Sequence, residues 1–157
     1  MNSTINFLPE EDGITHINIY SKGITPLGRF LSNFTHAPFT TVEHGDFTSV
    51  EGYWYWLLTD PSELNRDRLR TLDGFSAKKF GRSVTGDTDY RDSEEFRQHI
   101  KLALICKLRG RPSWVTALRE SKLPFTHYYN YGGKVVSDDR SDWLIQAWED
   151  IRADLIR

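Results

Sequence analysis

Residues 46–58, DFTSVEGYWYWLL, constrain this chain more than any other stretch. The aromatic side chains of Phe47, Tyr53, Trp54, Tyr55 and Trp56 crowd around one acid, Glu51. The T-S-V-E run at 48–51 has the pattern of a capping box, with Thr48 opening a helix and Glu51 closing back on it. Either way Glu51 falls in the first helical turn, where the helix dipole favours a carboxylate. Gly52 follows in a position where glycine costs roughly 1 kcal/mol against alanine, so something must approach that backbone closely. Glu51 and Tyr55, four residues apart, share a helix face. Two readings follow from these residues. In one, the acid sits beside aromatic surfaces that grip a planar or sugar ligand; in the other, it closes a cap and the aromatics are core.

The 157 residues suit one domain with a core of its own. Twenty Lys and Arg against 22 Asp and Glu leave a formal charge of −2, which excludes a general nucleic-acid coat but not a local basic patch. A single cysteine, Cys106, excludes an intrachain disulfide. No apolar run is long enough for a membrane span, and the polar, acidic N-terminus does not read as a signal peptide, so a cytoplasmic protein without membrane partners is expected.

Residues 1–13 read as an extension, and 14–157 as one domain. ITHINIY at 14–20 alternates like a strand. Residues 21–29 read as a polar turn, 39–42 as extended, and 43–46 as the turn before the aromatic helix. Asp60-Pro61 opens a short helix over 62–72, with Gly74 at its end, and AKKFGRSV adds a helical turn or two. The longest helix spans 93–108, with Phe96, Ile100, Ala103, Leu104 and Leu108 at helical spacing. Another helix starts at Pro112. Gly132-Gly133 turns a hairpin near 127–136, and a last helix begins near Ser141. The fold class is α+β, mainly helical, with a few short strands and a C-terminal hairpin followed by a helix.

None of the five histidines stands at metal-pair spacing, so no metal site is expected. No Walker loop, dinucleotide fingerprint or nucleophile elbow occurs. Arg29 and Asn33 offer a guanidinium and an amide on one loop. Lys78, Lys79 and Arg82 form a basic cluster suited to phosphate, or simply a solvated face. Tyr128, Tyr129 and Tyr131 offer rings to a base, with Tyr129 expected on one side of the strand, the other two on the opposite one, and at least one of the three in the core.

Taken in order, INIYS at 17–21, LSNF at 31–34, FTSVEGYW at 47–54, AKKFGR at 77–82, IKLALICKL at 100–108 and WLIQAWEDIR at 143–152 resemble the NADAR family of YbiA-like N-glycosidases. The resemblance implies a single YbiA-like domain that cleaves N-glycosidic bonds of phosphorylated ribose, with ADP-ribose conjugates of guanine and riboflavin-pathway intermediates as family substrates. It implies that Glu51 is the catalytic acid, and it leaves Asp142 as a second acid. Arg29, Lys78, Lys79 and Arg82 would hold phosphate, Asn33 the ribose hydroxyls, and Trp54 or Tyr129 the base. No cofactor is required. The family's E-H-Y-F-Q-A-x-K reads E-G-Y-W-Y-W-L-L here, which marks a divergent branch. Its partner would be a phosphorylated nucleoside or ADP-ribose-type ligand, including nucleic-acid adducts. A non-catalytic nucleotide-binding protein that sequesters such a ligand, and a plain interaction protein, are the alternatives.

Overall fold

A computed structural model of the chain describes residues 7–86 and 88–157; residues 1–6 of the expected extension lie outside it. The chain divides into two compact units. Residues up to Ser32 join Pro112–Arg157 in one, and Asn33–Arg111 forms the other.

In the first unit, β1 (Ile17–Asn18) pairs in parallel with β4 (Phe125–Thr126), which comes from the far end of the chain. The Asn18 side chain locks this register by donating to Tyr128 O and accepting from Tyr128 N, both at 2.9 Å. Asp12 is buried and accepts from Asn18 N and Ile24 N, so residues just before β1 are tied into the unit. The stretch expected as a polar turn contains a helix, α1 (Pro26–Leu31). Its cause is local: Thr25 accepts Gly28 N–H as the N-cap, and Pro26 fills the first helical position, where a missing N–H costs nothing. Phe30 of α1 stacks on Trp114 of α5 (Pro112–Glu120) at 4.4 Å. The expected hairpin is β5 (Tyr128–Tyr131) against β6 (Lys134–Ser137), and α6 (Asp142–Ile156) follows it. Arg152 of α6 is buried, lies over the Phe125 ring and binds Glu149 at 2.6 Å and Leu123 O at 2.9 Å. Breaking one partner of so buried a charge costs several kcal/mol, roughly 3–5.

The second unit carries the aromatic block. β2 (Phe39–Thr41) and β3 (Gly45–Phe47) form an antiparallel hairpin, so β3 begins inside the expected 43–46 turn. Phe39 and Phe47 face each other across it and enclose Tyr53 of α2 (Val50–Leu58). Each fully buried large apolar side chain contributes about 1.5–3 kcal/mol. The expected helix over 62–72 is instead a turn followed by a 3-10 segment, Arg66–Thr71, with Leu69 buried and Leu64 exposed. Its arginines act as clamps. Arg66 lies 3.5 Å over the Trp56 ring, while Arg70 donates to Asp67 and to the His44 and Asp46 carbonyls. Gly74 does not end this segment but starts α3 (Gly74–Val84). The long helix α4 (Glu94–Leu108) begins as expected, with Ser93 accepting from Phe96 N, and buries Phe96, Ile100, Ala103 and Leu104. Among the described residues, no helix is long and apolar enough to cross a membrane.

Candidate functional site

The start of α2 is set one residue later than the T-S-V-E pattern predicts. Ser49 is the N-cap and accepts from Gly52 N at 3.0 Å, while its own hydroxyl donates to Leu72 O at 2.8 Å. Thr48 is extended chain whose N–H donates to Arg70 O. Glu51 is therefore the second residue of the helix rather than the third, and its carboxylate closes no capping box. Its backbone N–H donates to Asn33 O at 3.0 Å. Gly52 is needed for the close approach of protein backbone: a Cβ there would lie 2.3 Å from Leu69 O and 2.9 Å from Leu72 O.

The loop over 33–36 spans the starts of two helices. Asn33 O receives Glu51 N–H, and Phe34 O receives Gly74 N–H at 3.0 Å. One helical turn into α3, Lys78 is half-buried, its ammonium 5.9 Å from the Phe34 ring centroid. Lys78 and Arg82 are four residues apart on α3 and share a face. Between them the two helices touch at a single small residue. A Cβ on Gly81 would fall 2.2 Å from Tyr55 Cγ, so the Tyr55 ring lies flush on the α3 backbone. Arg82 and Arg91 place positive charge near the Tyr55 hydroxyl.

Burial of the Glu51 carboxyl pushes its pKa up from 4.5 to about 7, although Lys78 and Arg82 both pull it down. Desolvation outweighs the cations. The preference of the helix start for an ionised acid is thus opposed by burial, which shifts this carboxyl towards its protonated form. Burial also raises the Tyr55 phenol, with Glu51 acting in the same direction.

The structure thus brings Asn33 and Glu51 together at the start of α2, with the charges of Lys78, in the middle of α3, and Arg82, in its last turn, near Glu51, and with Tyr55 and Arg91 as additional members. Tyr55 was legible as the i+4 neighbour of Glu51; Arg91 carried no sequence signal. Lys79 is exposed on α3. Trp54 is half-buried and packs edge-on against Phe96 at 4.8 Å. Arg29, Tyr129 and Asp142 belong to the other unit. Arg29 donates to the Gly23 and Ile24 carbonyls, and Asp142 is the exposed first residue of α6. Tyr129 stacks on Tyr131, which corrects the expected separation of the two: residues two apart share a strand face, and it is Tyr128 that turns the other way, onto His16.

No protein-family model and no curated protein matches the chain. Among solved structures, the NMR structure of the Escherichia coli protein YbiA matches with a TM-score of 0.67. The match extends over 90% of this chain and 84% of that one, at 20% identity. The fold is YbiA-like. YbiA is a NADAR family protein, and the likeness to it at this identity is one of fold.

Proposed function

We propose that this chain is an N-glycosidase of the NADAR type, hydrolysing the N-glycosidic bond of a phosphorylated riboside, with ADP-ribose conjugates of guanine as the leading substrate class. The observation that carries this reading is Glu51. It is released from capping, desolvated to a pKa of about 7, and flanked by two cations and a tyrosine. A carboxyl group poised near neutrality is suited to general acid–base work. The YbiA-like fold fits the same chemistry.

In the proposed reaction the bond from ribose C1′ to the base nitrogen breaks, and its electron pair leaves with the base. Positive charge develops on the sugar, and the Glu51 carboxylate stabilises it. Water adds to C1′, Glu51 takes the water's proton, and a proton is returned to the base. Lys78 and Arg82 hold phosphate, with Lys79 at the outer edge. Asn33 is assigned to the ribose hydroxyls and Trp54 to the base. The reading rests on the Asn33–Arg111 unit and does not depend on Arg29, Tyr129 or Asp142.

Incubation with an ADP-ribosylated guanine oligonucleotide and with free ADP-ribose conjugates, followed by chromatography of released ADP-ribose, tests the reading. Release that is lost in Glu51→Gln supports it. Thermal stabilisation by these ligands without any product selects a nucleotide-binding protein instead, and the absence of both responses overturns the glycosidase reading.

A further inference from the structure

Away from Glu51, the β2–β3 hairpin and α4 bring together three side chains that are dispersed in the sequence. Glu43, His44 and His99 present ligand atoms that all lie within 4.8 Å of one another. His44 Nε2 and His99 Nδ1 are each 3.7 Å from the same Glu43 oxygen. In a tetrahedral zinc site, ligand atoms at roughly 2.0–2.2 Å from the ion are about 3.3 Å apart. The two histidine–glutamate separations are already within about 0.5 Å of that spacing, and the histidine–histidine pair, at no more than 4.8 Å, closes by up to about 1.5 Å through side-chain rotation.

The far side of each imidazole is also occupied. His44 Nδ1 is 2.7 Å from the buried Tyr53 hydroxyl. With Nδ1–H donating to that oxygen, Nε2 keeps its lone pair facing Glu43. His99 Nε2 lies 3.7 Å from Glu95, whose carboxylate also accepts from Tyr90 OH at 2.9 Å. That arrangement turns His99 Nδ1 towards the cluster. Metal-binding histidines are oriented in this way, by a carboxylate or hydroxyl on the second ring nitrogen. Arg66 and Arg70 stand near His44. The same two arginines repel a cation.

We propose that Glu43, His44 and His99 bind a divalent transition-metal ion of the zinc type, with Tyr53 and Glu95 as positioning residues. Two imidazoles and one carboxylate select a borderline ion over Mg²⁺, which prefers oxygen ligands alone. The site uses none of the residues assigned to glycoside cleavage, and its test is independent of that reading.

Tag-free, chelator-treated full-length protein is titrated with Zn²⁺ and with Mg²⁺ by calorimetry, and with Co²⁺ by visible absorption. The expected result is one saturable Zn²⁺ equivalent, no Mg²⁺ binding, and ligand-field bands on loading with Co²⁺. Glu43→Gln, which alters an exposed side chain, and His99→Gln each weaken Zn²⁺ by at least about a hundredfold and abolish the bands. Tyr53→Phe weakens it by roughly tenfold. His36→Gln, at a histidine outside the cluster, leaves it unchanged. No saturable Zn²⁺ binding, or wild-type affinity in folded Glu43→Gln and His99→Gln, overturns the proposal.

Discussion

Ser49 Oγ accepts the Gly52 N–H at 3.0 Å and donates its own hydroxyl hydrogen bond to Leu72 O at 2.8 Å, so one buried hydroxyl both caps α2 and ties it to the chain just after the 3-10 segment. Ser49→Ala removes both bonds and takes from the buried Gly52 N–H its cap acceptor, while Leu72 O keeps only the longer contact from Thr48 Oγ1 at 3.4 Å. A lost cap costs about 0.5–2 kcal/mol, and a buried group left unsatisfied about 1–3. Urea denaturation is expected to show Ser49→Ala destabilised by roughly 2 kcal/mol. Thr48→Ala, at a residue outside the cap, should change stability by well under half of that. The reverse ranking would restore Thr48 as the cap and Glu51 as a capping-box acid.

Gly81 offers a second test of how α2 and α3 are joined. Alanine there would drive its Cβ to 2.2 Å from Tyr55 Cγ and 2.5 Å from Tyr55 Cβ, an atom that the α2 backbone fixes. Overpacking of this kind costs about 1–3 kcal/mol. Gly86→Ala is the control, since nothing lies within 4 Å of its Cβ position. Thermal melts should separate the two variants clearly. Equal melting temperatures would mean that the helices do not make this contact in solution.

Arg82 places its charge near both the Tyr55 hydroxyl and Glu51. If it holds phosphate, Arg82→Ala weakens a phosphorylated ligand by about 1.5–3 kcal/mol, the worth of a charged hydrogen bond. The dephosphorylated counterpart should bind almost unchanged. Calorimetry with the two ligands distinguishes this from a structural role, in which both would weaken together.

Local signals explain which parts of the fold were legible. The 93–108 helix followed from helical spacing, and the hairpin from Gly-Gly between aromatic and β-branched residues; neither needs a distant partner. The Gly52 reading was also sound in kind, but the backbone that approaches it belongs to Leu69 and Leu72. The α2 cap was misread because Thr48 and Ser49 are both competent, and a distant carbonyl, Leu72 O, decides between them. The helix α1 was hidden because glycines suggested a turn, although Thr-Pro is itself a helix start. His44 and His99 meet only through tertiary packing, so no spacing rule could pair them. The proton affinity of Glu51 is likewise a tertiary property, because desolvation comes from what surrounds the carboxyl.

That proton affinity makes a prediction in which stability and activity move in opposite directions. Glu51 has its folded-state pKa raised from 4.5 to about 7, so between those values the native protein binds more protons than the unfolded chain. Stability from this group is therefore fully present below pH 4.5 and is lost as pH rises through about 7. At about 1.4 kcal/mol per pKa unit, the full effect is on the order of 3 kcal/mol. Glu51→Gln keeps the shape of the protonated acid and cannot ionise. Its unfolding free energy should match wild type near pH 4.5 and exceed it progressively towards about pH 8, by roughly 1–3 kcal/mol. Turnover should fall by on the order of a hundredfold or more, because the carboxylate facing the developing sugar cation is gone. Urea unfolding at several pH values measures the first effect, and product release the second. A pH-independent stability difference would mean that Glu51 is an ordinary solvated acid, and a folded Glu51→Gln protein with full turnover would remove it from the mechanism.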